Sequence, residues 1–536
     1  MAKKLTAIIL SLAVLLTAFA IPASAATEVT SDVERGFYRF VDDVLDTLVN
    51  GIAALIVEPH GWPTKDEYVS ENFYEGLDAD EFLDAPAEGA KWSLGYANAS
   101  LLTGKELEEE HYVGGSLSVT KKLADEVRDD QKVRTIAISD GRGISIFASL
   151  DTFGLANNEV RIIREKFQEY ADSKDLEITS INISALHQHS CVDTFGLNGD
   201  IIGALFTASF KNMFGLELPS GKNKNYMENL YKVTVQSMID AVDDMQEGTL
   251  YYGSVDASEY IRDKRDPQVF DGNLNRIRFV PGKEGEKETW LINLPIHCVG
   301  NGAAGTLLTG DYPYYIEKYL NENENANFIQ ILGAELAISS NYPDVLELDP
   351  EIMKQYNNDE GYARTAAYGE LLGKLAASIE NDEPIAPIFN IRYKEIFVPI
   401  DNSIFKLAAR GGLLTNEVVK NGLDYETVTE VGYAEFGANL AIAIIPGELA
   451  PEIAFGGAVT AEDSWDGKEW NYTSFADAAD DKKLLVFGVI NDQIGYMMTD
   501  NDWRSYLTEN EEIVSTGPNA GAYIAEAYLD LFNEVN

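Results

Sequence analysis

LEITSINISALHQH, residues 176–189, opens as a strand and closes on two histidines. Leu176–Ala185 is rich in apolar and β-branched side chains, and the segment before it, Glu159–Ser173, has apolar residues at helical spacing. A helix that feeds an apolar strand, which then delivers polar side chains at its C-terminal end, is the unit of α/β organisation. The unit recurs along the chain. Trp290–Ile296 is a strand, apolar apart from Asn293, carrying His297 at its end, and Phe328–Leu332 is a shorter strand. Ala441–Ile445 ends at Pro446-Gly447-Glu448, and Leu484–Ile490 ends near Asn491-Asp492. Val133–Ser139 and Gly143–Ser149 read as two strands joined by an Asp140-Gly141 hairpin turn. Tyr226–Met245, Tyr362–Ile379 and Ala520–Glu534 read as helices. The expected fold is α/β: a large mixed β-sheet domain over about residues 91–536, flanked by helices, with the active site at the strand C-terminal ends.

Working outward, the N-terminus sets an expected address. Lys3 and Lys4 precede the apolar run Leu5–Phe19, and Ala23-Ser24-Ala25 follows as a small-residue cleavage site. This is the pattern of a signal peptide over residues 1–25. The run is shorter than the ~20 residues a spanning helix needs, so a secreted or extracytoplasmic product is expected. Residues 26–90 form a leader with one amphipathic helix, Phe37–Ile56, and an acidic, proline-containing stretch. The chain carries 41 basic and 88 acidic residues, a formal net charge of −47. Such a surface repels nucleic acid and anionic lipid, which excludes polyanionic partners.

Only five histidines are present, and three of them, His187, His189 and His297, stand at strand ends. In an extended segment, residues i and i+2 point to the same side, so the imidazoles of His187 and His189 can converge on one ion. Neutral imidazole suits zinc, and a carboxylate such as Glu448, turned inward after Gly447, suits it as a further ligand. His60 and His111 lack that context and are expected to be structural. Cys191 and Cys298 each lie within two residues of one of these histidines. They are either a disulfide beside the site or two small buried apolar side chains, and both readings stay open.

Several segments, in order, resemble the neutral/alkaline non-lysosomal ceramidase family. ISALHQHSCVDTFG is similar to its HxHSG-type motif, and INLPIHC to its second histidine strand. TGDYPYYIEKYL and FIQILGAELAISSN are similar to its DYPG stretch and GDVSPN-type serine loop. IIPGELAPEI resembles the PGE motif, and GYMMTDNDWRSYLTENEEIVSTGP the closing tyrosine segment. The resemblance runs from about residue 92 to the end and implies the catalytic domain without a C-terminal immunoglobulin-like domain. It implies Zn2+ held by His187, His297, Glu448 and Tyr496, with His189 beside the metal as the group that handles protons. Ser339 matches the active-site serine, as nucleophile or, the reading favoured here, as a substrate-positioning group. Arg265 of DKRDP matches the arginine of an NRSP-type stretch and, with Tyr496, would stabilise the oxyanion. The implied reaction is hydrolysis of the amide of an N-acyl lipid or other amphiphilic amide, with transient contact at a membrane surface. Departures are local: Leu336 and Ala337 replace the Gly-Asp before the serine, Ser340 replaces the proline, and Ser190-Cys191-Val192-Asp193 replace glycines, whereas Asn341 is kept. Two other classes remain in view, a phospho- or sulfo-ester hydrolase and a non-catalytic surface protein that keeps the fold. A carbohydrate hydrolase has no carboxylate pair picked out by spacing.

Overall fold

Strands that are apolar on both faces have to be covered on both sides, and here two large sheets meet that demand by stacking on each other. The computed structural model describes residues 32–59, 61–115, 121–216, 221–301, 305–340, 348, 350–507 and 511–536. The expected signal peptide, His60 and Asn341 lie outside the described residues.

The first sheet contains β1 (Trp92–Ser100), β2 (Lys132–Ser139), β3 (Ile144–Leu150), β4 (Ile178–Ala185), β5 (Gln246–Asp256), β6 (Asn273–Pro281), β7 (Glu288–Leu294) and β8 (Ala326–Leu332). Their order is β8-β7-β6-β5-β1-β2-β3-β4, with the short Glu383–Ile385 strand added on β5. The β3–β4 and β7–β8 pairs are parallel and the rest antiparallel, so the sheet is mixed, as expected. The second sheet orders β9 (Phe389–Pro399), β10 (Asp424–Phe436), β11 (Leu440–Ile444) and β12 (Lys483–Phe487), with Val418–Asn421 on β10. Here β11 and β12 are parallel.

Period-two alternation assigns each residue to a layer. Ile136, Ile138, Phe147, Ile329 and Ile331 of the first sheet interdigitate with Ile391, Ile442, Ile444, Leu485 and Phe487 of the second. On the other face of the first sheet, Val133, Ala137, Ile146 and Ala148 pack on α2 (Asn157–Lys174) and α3 (Lys224–Asp243). Ile292, Leu294 and Phe328 pack on α4 (Asp311–Asn323) and α5 (Glu360–Ala377). The outer face of the second sheet, with Ala441, Ala443, Leu484 and Val486, is covered by α6 (Ala520–Val535). The result is a helix–sheet–sheet–helix sandwich. Buried ion pairs cross its layers: Arg134 on β2 reaches Asp151 and Glu317 at 2.8 Å each, and Arg164 on α2 reaches Glu430 on β10 at 2.5 Å.

The Asp140-Gly141 hairpin is present, with Ile138 paired to Ser145. The expected strand Leu484–Ile490 is shorter than its apolar run. It leaves the sheet after Phe487, and Gly488–Asn491 crosses between the sheets, donating to Leu332 O, Gly447 O, Ile445 O and Ile183 O in turn. In the 26–90 segment, α1 (Asp32–Ala53) is followed only by short 3-10 turns before β1. That stretch also adds to β9: Leu77 N–H donates to Ile391 O and Tyr393 N–H to Glu75 O. Cys191 and Cys298 are both free and buried, so the disulfide alternative falls. Among the described residues no helix is long and apolar enough to cross a membrane.

Candidate metal centre

Five strand ends, drawn from both sheets, meet at one edge of the sandwich. After β4, Leu186 N–H donates to Leu150 O and Gln188 N–H to Thr152 O, which carries the chain on beside the end of β3. His187 sits between them with φ of 48°, a left-handed conformation rare for a non-glycine residue. The rings of His187 and His189 do converge, 4.7 Å between centroids, but the kink at His187 turns them together rather than the extended spacing expected from sequence. His189 N–H donates to Cys298 O, and this contact sets the segment against the end of β7. His297 follows β7, with its own N–H and its Nδ1 both directed at Ile338 O, at 3.3 and 2.7 Å. Glu448 follows β11 in a two-residue parallel ladder, Glu448 opposite Tyr496 and Leu449 opposite Met497. That ladder is what selects Tyr496 from the chain's 27 tyrosines.

The donor atoms face one another. Glu448 Oε2 lies 2.9 Å from His297 Nε2 and 3.4 Å from His187 Nε2. Donors around a tetrahedral zinc with bonds of ~2.0–2.1 Å stand about 3.3 Å apart, so the set is already near the spacing one ion requires. Each ligand candidate is oriented from behind. His187 Nδ1 is 3.0 Å from Phe153 O, and Gln493 Nε2 donates to Glu448 Oε1 at 2.9 Å. Tyr496 hydrogen-bonds the Glu448 carboxylate. Carbonyl and amide partners of this kind fix ring tautomer and carboxylate orientation in metal sites. His187 Nε2 is buried and makes no hydrogen bond, as an atom waiting for an ion would.

Electrostatics select the neutral imidazole that metals bind. Burial, partly offset by Glu448, pushes His187 down to about 4. Burial and then the charge of Lys264 push His297 down to about 3. His189 is held well below its usual range by burial and by its two histidine neighbours. The carboxyls are pushed the other way: Glu448 is raised chiefly by burial, and Glu335 is raised well above its usual range by burial and then by Glu448. A divalent cation between them would reverse that preference.

The other expected residues lie around this centre. Ser339 follows Ile338 in a short antiparallel ladder with Ile261–Asp263, directly opposite Arg262. Arg265 is buried, and its guanidinium is engaged by Asp502 Oδ2 at 2.9 Å and Glu512 Oε1 at 3.3 Å, with Glu511 at 4.0 Å. It meets the centre through this acidic cluster, since the charge of Glu511 bears on both Glu448 and His297. His111 is away from the centre, edge-on to Tyr226 and directed at Glu109 O, as a structural histidine would be. Reading the sequence missed Glu335, Gln493 and Lys264. The one available signal was Glu335 itself, a lone acid inside the apolar run FIQILGAELAI.

The loop that bears Gln493 also carries a pH-sensitive acid. Asp492 Oδ1 accepts from Asn157 N–H, Asn416 Nδ2 and Gln493 N–H, and burial pushes its carboxyl up to about 7 from an ordinary 3.8. The folded chain therefore keeps a proton there that the unfolded chain has lost above pH ~4, and this contribution to stability falls as pH rises through 7. Asp492→Asn keeps the accepting oxygen and removes the titration. In denaturation at pH 5 and pH 8, wild type is expected to lose more stability than the variant, by up to ~1.4 kcal/mol per pH unit within the window. A gap between the two proteins that is the same at both pH values contradicts this reading.

No family model matches the chain, and no curated protein matches it. Solved structures do. The neutral ceramidase from Pseudomonas aeruginosa superposes with a TM-score of 0.58 at 17% identity, covering 83% of this chain and 74% of that one. A ceramidase complexed with C2 gives a TM-score of 0.56 at 16% identity, covering 83% and 75%. The chain shares the fold of these ceramidases.

Proposed function

We propose that the protein is a secreted zinc-dependent amidohydrolase that cleaves the amide bond of an N-acyl lipid, ceramide-like in form. In this reading residues 91–536 are the catalytic domain, residues 26–90 its leader and residues 1–25 a cleaved signal peptide. One observation carries the proposal: on a fold shared with neutral ceramidases, His297 and His187 stand 2.9 and 3.4 Å from Glu448 Oε2, and Tyr496 hydrogen-bonds the same carboxylate. These four residues would hold the ion. Zinc there supplies a Lewis acid for the amide carbonyl and acidifies water toward pKa ~7.

The chain's own residues supply the rest. His189, neutral and within 4.7 Å of the His187 ring, can take a proton from water at one ring nitrogen and return it to the departing amine. The Tyr496 hydroxyl, which hydrogen-bonds the Glu448 carboxylate, would serve as a donor to the oxyanion. Ser339, on the strand that also orients His297, would hold substrate. Arg265 pairs with Asp502 and Glu512, with Glu511 at 4.0 Å, and so offsets part of the negative charge behind the ligands. An amphiphilic substrate is supported by exposed Phe37, Phe40, Phe210, Met213 and Phe214 on α1 and the helix Ile201–Met213. The C-terminal end of α1 packs near Leu205 and Ala208, and exposed apolar side chains of this kind suit transient contact with a lipid aggregate.

The test is hydrolysis of N-acylsphingosine and of N-acyl amino acids by the purified protein, before and after chelation. Turnover of the sphingolipid that chelation abolishes and zinc restores is the expected result. Full activity after metal stripping would sink the mechanism. Bound zinc with no turnover on any amide would point instead to a non-catalytic protein that keeps the fold.

A further inference from the structure

Glu335 has no place in the ligand set proposed above, yet its position is more demanding than that of any other acid near the centre. It is 0% exposed, and neither carboxylate oxygen makes a hydrogen bond. A carboxylate buried with no donor costs several kcal/mol unless it takes up a proton or a cation neutralises it, and even the protonated acid is left here with no hydrogen bond. The nearest basic atom is His297 Nδ1, 3.7 Å from Glu335 Oε2, but that nitrogen is committed to Ile338 O at 2.7 Å. The neighbouring charge that bears on Glu335 is a like one, Glu448. One of its oxygens and one donor atom each of His187 and Glu448 all lie within 4.8 Å of one another.

The backbone holds the carboxylate there. Gly333, after β8, is packed so closely on Pro295 that a Cβ would stand 2.9 Å from it. Leu336 N–H then donates to Leu449 O, next to Glu448, and Ile338 N–H donates back to Glu335 O. Ala337 takes φ of 60° to close this turn. The loop is thus tied to the Glu448 ladder on one side and to the His297 orienting contact on the other, and a left-handed alanine is kept to do it.

We propose that Glu335 is a second carboxylate ligand of the same ion, completing a centre of His187, His297, Glu448 and Glu335 with Tyr496 at its edge. The inference rests on the metal reading given above. Two carboxylates and two neutral imidazoles carry a formal charge of −2, which balances one divalent cation in a site with little solvent. With Glu448 as the single carboxylate and Tyr496 as the neutral phenol, the buried centre would be left with net positive charge.

The experiment is zinc binding to the whole protein and to Glu335→Gln, by competition with a chromogenic chelator, together with the visible spectrum of the Co2+-loaded forms. Glutamine keeps the shape and removes the charge. The expected result is a fall in zinc affinity of about a hundredfold or more, and a cobalt spectrum altered by the loss of an oxygen ligand. The metal-free variant should melt close to metal-free wild type, since burial already favours the uncharged acid at Glu335 and glutamine is its neutral isostere. Glu335→Asp, which keeps the charge on a shorter arm, should bind zinc with intermediate affinity and covers the case in which the glutamine variant fails to fold. Equal zinc affinity and an unchanged cobalt spectrum in Glu335→Gln overturn the proposal and leave the four-ligand reading standing. Wild type that binds neither ion overturns the metal reading itself.

Discussion

Glu448→Gln is expected to lower zinc affinity by at least about a hundredfold and amide hydrolysis by at least ~10³, with the fold intact. Glu448 Oε2 is the atom that both His297 Nε2 and His187 Nε2 face, so its charge is the one shared by the ligand set. Changes to groups that merely orient ligands cost 10–100-fold in metal affinity, and loss of a ligand should exceed that. The hydrolytic loss compounds weaker metal binding with removal of a preorganised charge, which by itself is worth 10²–10³ in rate. Glutamine fits the cavity, because Gln493 and Tyr496 can turn to bond an amide. Metal-free wild type and metal-free variant should therefore unfold at closely similar denaturant concentrations. Chelator competition and an N-acylsphingosine assay check the first two quantities and denaturation the third. A variant that binds zinc like wild type would remove Glu448 from the centre.

Gly495→Ala is expected to destabilise the protein by about 3 kcal/mol or more and to disorder the metal ligands. Gly495 has φ of 92°, and an added Cβ would stand 1.9 Å from Val514 O and 3.1 Å from Val514 C. Both are backbone atoms, so no side-chain rotation can relieve the contact. The strained φ alone costs ~1–3 kcal/mol, and overpacking costs a similar amount. Gly495 O accepts from Glu448 N–H, and Tyr496 is the next residue, so any shift that makes room moves two ligands together. A lower denaturation midpoint with weaker zinc binding is the expected pair of results. Wild-type values for both would show that the loop yields without moving the centre.

Much of the site could be read from residue types at strand ends, because a strand's C-terminal edge is where an α/β fold gathers its chemistry. His187, His297 and Glu448 stand out this way, each following a strand-like, largely apolar segment. Tyr496 does not, for its place comes from a two-residue ladder with Glu448 that no periodicity encodes. Glu335 was hidden by its surroundings, since one acid in FIQILGAELAI shifts no hydrophobic pattern. The convergence of His187 and His189 was legible, but its cause was not. Extended spacing suggested it, whereas the backbone reaches it by a left-handed turn pinned to Leu150 and Thr152.

The fold shows the same division. Mixed strands and flanking helices follow from the sequence patterns, and both parallel pairs of the first sheet join strands separated by a helix, α2 and α4. The second sheet was not legible as separate, because strands such as β11 are apolar on both faces whether they meet a helix or another sheet. The crossing at Gly488–Asn491, which brings the ends of β4, β8 and β11 to one point, depends on Val489 at φ of 50° and Asn491 at 65°. A β-branched residue in that region reflects tertiary constraint and not local preference.

Zinc stoichiometry of the purified protein, with an anomalous difference map at the zinc edge from its crystals, tests the central claim most directly. One zinc per chain is expected, with its peak among His187 Nε2, His297 Nε2 and the Glu448 carboxylate. No bound zinc after reconstitution, or a peak elsewhere in the molecule, would contradict it.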